Sequence, residues 1–415
     1  MNRSVAILHY AGPPNIGGVE ITMAAHAQVL AADGWQVRVL TGRGDWQHSD
    51  VQTITIPELG SRGPELEQIA QELTQGVVSP LFEDLTERIM RHLEHHLAGV
   101  DVAIVHNVLS LHKNQAFTTA LHRLHQSGRA PRLLAWCHDF AWLDPLYTPE
   151  LHDGEPWELL RYAWPGVQYV VVSEDRRGML AGLFNLPLED VTVATPGIDL
   201  ASFLKLEPDT VELVKRLNML EADPLLLLPA RITRRKNIEQ GIAIVGALRQ
   251  LGLHPKLIVT GPPGPHNPTN AAYLAQLQAL RDESGAQDAV VFLYETYTDE
   301  QGNPLPVSDA MLADWYRLAD GLLFPSRYEG FGIPILEAGI AGIPIFGSDI
   351  PPFRTTAGDT AFYFDLAASP EDIANQIAAK VRDDQRGQLR RRVRLEYTWE
   401  AIYQRVILPL LIDHT

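Results

Sequence analysis

Short apolar runs alternate with longer stretches of helical period along the whole chain. SVAILHY (4–10), WQVRVLTG (35–42), DVAIVHN (101–107), RLLAWCHDF (132–140) and YVVVSED (169–175) read as strands. Between the first two, GGVEITMAAHAQVLAADG (17–34) reads as a helix that stops at Gly34. The strand segments are near-continuous in Val, Ile and Leu rather than alternating. That pattern predicts strands covered on both faces, hence a parallel sheet. A second series follows: PLLLLPA (224–230), KLIVTGPP (256–263), AVVFLYE (289–295), GLLFPS (321–326), IPIFGSD (343–349) and AFYFD (361–365). Helical patterns such as NIEQGIAIVGALRQLG separate them. The fold class is α/β, with two doubly wound parallel-sheet domains. The first domain is placed at 1–195 and the second at 196–395, with a closing segment at 396–415. The join lies near TPGIDLASFLKLEP (195–208), which carries turn residues and few strand signals.

Residues 61–98 read as a mostly helical insertion ahead of the third of these strands. They contain RHLEHHLAG, with His92, His95 and His96. Helical spacing puts His92 and His96 on one face, but no third ligand is evident, so a solvated polar helix is expected and no metal site.

Composition narrows the classes. Net charge is −17, which argues against nucleic acid or an anionic membrane as a general partner. An anionic ligand must then be met by local basic residues. Cys137 is the single cysteine, so no internal disulfide can form, in keeping with a cytoplasmic protein. The opening MNRSVAILHYAGPP breaks at Gly12-Pro13-Pro14 and is not expected to be a signal peptide. No run approaches bilayer length. RGQLRRRVRLEY (386–397) reads as a solvated helix with charges around it; peripheral membrane contact for a lipid-linked acceptor is the other reading.

In doubly wound sheets, ligands sit beyond the carboxyl ends of the strands. After the first strand, Gly17 and Gly18 precede a helix, where a bare backbone and a helix start favour an anion. This is not the dinucleotide G-x-G-x-x-G spacing. His106 and Asn107, and His138 and Asp139, follow two other strands. Cys137 and His138 are adjacent strand residues and point to opposite faces, so they form no nucleophile–base pair; Cys137 reads as a buried small residue. PARITRRKNIEQGI follows the first strand of the second domain. Its Arg231 and Lys236 are candidates to neutralise a diphosphate, while Arg234 and Arg235 read as solvated.

The most informative stretch is PSRYEGFGIPILEAG (325–339). Glu329 to Gly332 follow a strand, and Pro334 suits the first position of a helix. The amides from Phe331 to Leu336 then form an anion site. Glu337 lies one turn in. Beside bound phosphate it would be repelled unless it holds hydroxyls, and a carboxylate accepts well from a vicinal diol. Phosphate, ribose and hexose together describe a nucleotide-sugar.

These features resemble the retaining GT-B glycosyltransferases of family 4. The E-x7-E of Glu329 and Glu337 is that family's most specific signature. NIGGVE, VHN, CHDF, VVSE, TPGID, ARITRRKNI and LADGLLFPSRYEGFG fall in the expected order, and the likeness covers nearly the whole chain. The resemblance implies two Rossmann-like domains, with YTWEAIYQRVILPLL as a final helix crossing back to the first. It implies that Glu337 holds the ribose and that Glu329 lies near the donor sugar's hydroxyls. Arg231 and Lys236 would neutralise the diphosphate, with the amides of Phe331, Gly332 and Ile333. His138 would contact the transferred sugar, Gly17 and Gly18 would lie over the diphosphate, and the base would sit near Leu293 and Tyr294. The implied reaction is transfer with retention from a UDP- or GDP-hexose to the hydroxyl of a carbohydrate, lipid-linked or small-molecule acceptor. No Asp-x-Asp triplet occurs, so metal-independent turnover is expected, with no cofactor. The alternatives are a nucleotide-sugar epimerase on the same plan, or a non-catalytic nucleotide- or glycan-binding relative.

Overall fold

A computed structural model describes residues 3–14, 17–264 and 269–412. The chain divides into two compact units, residues 1–198 with 399–415, and residues 199–398.

The first unit holds seven strands: β1 (Ser4–His9), β2 (Gln36–Thr41), β3 (Val51–Thr55), β4 (Val102–His106), β5 (Arg132–Cys137), β6 (Gln168–Val171) and β7 (Val191–Val193). They pair in parallel in the order β3-β2-β1-β4-β5-β6-β7. Alternate residues of each central strand enter different cores. Val5, Ile7, Ile104, Leu134 and Trp136 pack on one face with Met23 and Leu30 of the helix Gly18–Ala32. Ala6, Leu8, Val105, Ala135 and Cys137 pack on the other with Phe117 and Leu121. Both faces are therefore dry, which is why the strands read as unbroken apolar runs.

β3 and β7 were not expected from the sequence. They are the two edges of the sheet, and Gln52, Thr53, Thr55 and Thr192 leave them no continuous apolar run. The strand expected to run to Asp175 stops at Val171. The Ser173 side chain accepts from the Arg176 amide and starts the helix Glu174–Phe184. Residues 61–98 form the helices Pro64–Thr74 and Pro80–Leu97. Phe82, Leu85, Ile89 and Leu93 of the second join the sheet's core, so this segment is one of its covering layers. The His92 and His96 rings stack with centroids 6.3 Å apart. Among the described residues no three His, Cys, Asp or Glu side chains gather as metal ligands.

The segment after Trp399 covers the remaining face. Ile402, Tyr403, Ile407 and Leu411 enter the core beside Met23. Tyr403 donates its hydroxyl to Asp33 at 2.6 Å, and Arg132 reaches the carbonyls of Leu410 and Leu411 at 2.8 and 2.7 Å.

The second unit holds β8 (Leu225–Leu228), β9 (Lys256–Val259), β10 (Val290–Phe292), β11 (Gly321–Phe324), β12 (Ile345–Ser348) and β13 (Phe362–Phe364). Their order is β10-β9-β8-β11-β12-β13, all parallel. Each lies within a segment expected to be a strand. Here even the edges are apolar.

The basic helix Gln385–Glu396 corrects the expectation of a solvated helix. Arg391 and Arg394 are buried. Arg394 donates to Asp320 at 2.6 Å and to the carbonyls of Met219 and Leu220. Asp320 also accepts the Leu225 amide at the start of β8. Arg394 thus fastens the helix to the sheet, while Arg391 donates to the Val381 carbonyl at 2.6 Å and lies 3.4 Å from Asp223. Among the described residues, no helix is long and apolar enough to cross a membrane. We predict that Arg394→Met, which strands the Asp320 carboxylate, destabilises the protein by about 3–5 kcal/mol. Denaturant unfolding checks this, and a loss within error of zero contradicts it.

Candidate nucleotide-sugar site

The strand order of each sheet reverses beside its central pair. In the second unit the reversal falls between β8 and β11, whose loops leave in opposite directions and open a crevice at their carboxyl ends. The loop after β8 carries Arg231 to Asn237. The loop after β11 carries Ser326 to Gly332. A backbone bond from the Arg327 amide to the Arg235 carbonyl, 2.8 Å, ties the two together.

Glu329 is the hub. Its Oε1 accepts from Lys236 Nζ at 2.5 Å and from Ser326 Oγ at 2.8 Å. Its Oε2 accepts from Arg235 Nη1 at 2.5 Å. Only 8% of the Lys236 and of the Glu329 side chain is exposed. Burial pushes the Glu329 carboxyl up, but its bonds to Lys236, Ser326 and Arg235 outweigh that and hold it below the usual range. Burial lowers the Lys236 ammonium despite the pull of Glu329. Lys236 also lies 4.7 Å from the centre of the Phe324 ring.

Gly332 adopts φ +96°, and a Cβ there would fall 2.9 Å from the Phe353 ring, so the turn needs glycine. The helix Ile333–Ala341 follows, with Pro334 in its first turn. The amides of Phe331, Gly332 and Ile333 have no acceptor among the described residues. They are the open donors of this helix start. Phe331, Ile333 and Leu336 are exposed. Glu337 accepts the Tyr316 hydroxyl on Oε2 at 2.6 Å, and its Oε1 has no partner among the described residues. Burial, and then Glu337, push the Tyr316 hydroxyl up, so it remains a donor.

Arg231 is exposed and makes no ion pair among the described residues. Arg235, expected to be solvated, is the arginine that reaches Glu329. Leu293 is wholly buried in the core, so only its backbone can face a ligand, whereas Tyr294 is partly buried against that core. Ser326 and Tyr316 were not singled out from the sequence. Ser326 sits three residues before Glu329, a spacing that could have flagged it.

In the first unit the order reverses between β1 and β4. Gly17 caps the helix Gly18–Ala32 in extended backbone, and nothing lies within 4 Å of a Cβ built on Gly18. The space at Gly18 is open, whereas the Glu20 carboxylate of the first turn lies against Gly17. Asn15 and Ile16 of NIGGVE lie outside the described residues. His106 and His138 end neighbouring strands and meet, with His106 Nδ1 3.1 Å from His138 Nε2. Asn107, at φ +60°, accepts the His138 amide on its side chain at 2.7 Å. Asp139 lies 3.6 Å from Arg176. Cys137 is fully buried, and burial raises its thiol to about 12, so it is no nucleophile. Burial lowers His138 to about 4 and His26 to about 3.

Residues 16–202 match the family described as Glycosyltransferase Family 4, and residues 210–396 match Glycosyl transferases group 1. Every candidate residue falls inside one of the two matches. The chain belongs to the family-4 type of glycosyltransferases. It is similar to D-inositol 3-phosphate glycosyltransferase of Xylanimonas cellulosilytica, 30% identical over 184 residues, which span 43% of this chain and 40% of that protein. The chain thus matches less than half the length of that relative. It is also 23% identical over 377 residues to mannosylglucosylglycerate synthase of Thermotoga maritima, covering 84% of this chain and 82% of that one. Among solved structures, the sucrose-phosphate synthase from Thermosynechococcus elongatus aligns over 98% of each chain at 20% identity with a TM-score of 0.38. Both expected parallel sheets are present, one in each unit.

The buried histidines make the glycosyltransferase's stability depend on pH. In the unfolded chain a histidine takes its proton near 6.5, whereas folded His138 and His26 stay neutral down to about 4 and about 3. The folded state binds fewer protons between those values. Stability is full above about pH 6.5 and falls as pH drops through this window, by up to about 1.4 kcal/mol per unit for each group. Denaturant unfolding at pH 7.5 and 5 should show this loss, and His26→Leu should flatten it. An unchanged slope in the variant contradicts the assignment.

Proposed function

We propose that this chain is a retaining, metal-independent hexosyltransferase that moves a sugar from a UDP- or GDP-hexose to an acceptor hydroxyl, in polysaccharide, glycolipid or glycoside biosynthesis. The observation that carries the reading is the second crevice. A buried Lys236–Glu329 pair, joined by the half-exposed Arg235, and three open backbone amides lie at the strand-order reversal.

The chemistry needs charge stabilisation more than a nucleophile. Breaking the bond from the sugar's anomeric carbon to the diphosphate leaves oxocarbenium character on the sugar and negative charge on the leaving oxygen. Lys236, Arg231 and the amides of Phe331, Gly332 and Ile333 supply positive charge and donors to that oxygen and its neighbours. Because Lys236 and the amides are fixed before the donor arrives, little reorganisation of them is needed in the transition state. Arg231, exposed and unengaged, is the arginine available to the diphosphate, while Arg235 is committed to Glu329. Glu337 takes the ribose diol on Oε1, since Tyr316 already holds Oε2. Glu329 serves first to place the two cations, with the sugar hydroxyls as its further partners. Gly17 and Gly18 approach the diphosphate, with open space at Gly18; Leu336 and Tyr294 flank the nucleoside, and His138 contacts the transferred sugar. Retention follows a front-face course in this reading, with the leaving phosphate oxygen taking the acceptor's proton. A cytoplasmic location belongs to the same proposal.

The test follows release of UDP or GDP from their hexose derivatives in EDTA, with NMR of the glycoside product. The proposal predicts turnover without divalent metal and retained anomeric configuration. Lys236→Ala should lower kcat/KM by about 10²–10³-fold with its circular dichroism unchanged. Complete dependence on metal, inversion, or unaltered kinetics in Lys236→Ala would each refute the corresponding assignment.

A further inference from the structure

Four histidines crowd the carboxyl ends of β1, β4 and β5 and the helix that covers them, and only His138 has a place in the reaction. His9 Nδ1 lies 2.9 Å from the His106 carbonyl, so it is a donor and its tautomer is fixed. His106 and His138 are joined by a single contact, Nδ1 to Nε2 at 3.1 Å. Both rings are held neutral by burial. One nitrogen must then donate and the other accept, which leaves two possible arrangements.

The surroundings of His106 choose between them. Its Nε2 is buried without a hydrogen-bond partner among the described residues. The rings around it are His26, at 5.4 Å between centroids, and Trp136, at 5.8 Å; these two lie 4.5 Å from each other. Trp136 Nε1 and both His26 nitrogens are likewise buried and unpaired among the described residues. The tryptophan nitrogen is always an N–H, and neutral His26 carries one N–H. Neutral His26 also carries one bare nitrogen, so these unpaired groups comprise two donors and one acceptor. A proton on His106 Nε2 would add a third donor, at the cost of a further unmet buried donor. A bare Nε2 instead adds a second acceptor, which matches the two donors in number. Protonation of His106 at Nδ1 is then favoured, and Nδ1–H must donate to His138.

We propose that His106 is a positioning residue: its Nδ1–H donates to His138 Nε2, fixing His138 as the Nδ1–H tautomer, so that His138 presents an N–H donor to its ligand. His138 Nδ1 makes no hydrogen bond among the described residues, and unlike the nitrogens above it is not enclosed. The His138 backbone is clamped at the same time by Asn107. The ligand atom met there must be an acceptor, which suits a sugar hydroxyl or ring oxygen. The Nε2–H form, which free imidazole side chains favour in water, would offer a lone pair instead. This inference rests on the reading that His138 faces the transferred sugar.

The test separates the two readings. Histidine labelled with ¹⁵N in the intact chain reports each ring's tautomer without substrate, and His138→Gln identifies the His138 signals by their loss. The proposal predicts a protonated Nδ1 and an unprotonated Nε2 for His138 at pH 7.5; the reverse pattern overturns it. His106→Asn keeps an amide donor near the position of Nδ1, whereas His106→Leu removes it. The Leu variant should lose at least about tenfold more kcat/KM than the Asn variant, and its His138 signals should shift toward the Nε2–H pattern. Equal losses in both variants would make His106 a packing residue and refute the role. Unaltered kinetics in His138→Gln would instead refute the placement of His138 against the sugar, with the tautomer read independently.

Discussion

The second unit's site depends on one buried carboxylate. Glu329 accepts from a lysine, an arginine and a serine at once, and without it two cations would stand together in a place where burial already disfavours a charged lysine. Such a pair is an expensive arrangement to keep for stability alone. Its value is placement. The Lys236 ammonium sits at a fixed point beside the open amides after Gly330, with its charge offset until a stronger anion arrives. In the proposed function a diphosphate shares Lys236 with Glu329 and takes Arg231, while Arg235 stays on Glu329 and the turn is kept.

The rest of the second unit serves that turn. β8 and β11 are wholly buried and set the spacing of the two loops. The Arg327–Arg235 backbone bond closes them. Gly332 and Phe353 fix where the helix begins, and Tyr316 aims Glu337. Each of these contacts is ordinary. Together they bring a carboxylate, two cations and a row of donors to the end of one sheet, where a parallel fold leaves its crevice.

Much of this was legible in the chain. Central strands buried on both faces leave unbroken apolar runs, and all six strands of the second unit could be read from them. The E-x7-E of Glu329 and Glu337, with the glycines between, pointed to the turn. What stayed hidden was set by tertiary contact. β3 and β7 are half-wet edges with polar residues, so their sequence looks like loop. Arg391 and Arg394 read as solvent charges because nothing nearby announces Asp320 or Asp223 as partners. Arg235 read as solvated because the tight 3₁₀ turn at Arg234–Lys236, which brings it to Glu329, has no local signal. The packing of His26 and His106 around Trp136 joins residues from separate elements, His26 and Trp136 lying 110 positions apart, beyond the reach of any local pattern.

The most direct measurement is calorimetric titration of the intact chain in EDTA with UDP-, GDP- and ADP-hexoses, repeated on Glu329→Gln. Saturable binding of one nucleotide-sugar by the native chain, weakened at least about tenfold in the variant, is the result expected if Glu329 organises the cations that receive the diphosphate. Binding by none of them, or equal affinity in Glu329→Gln, would contradict it.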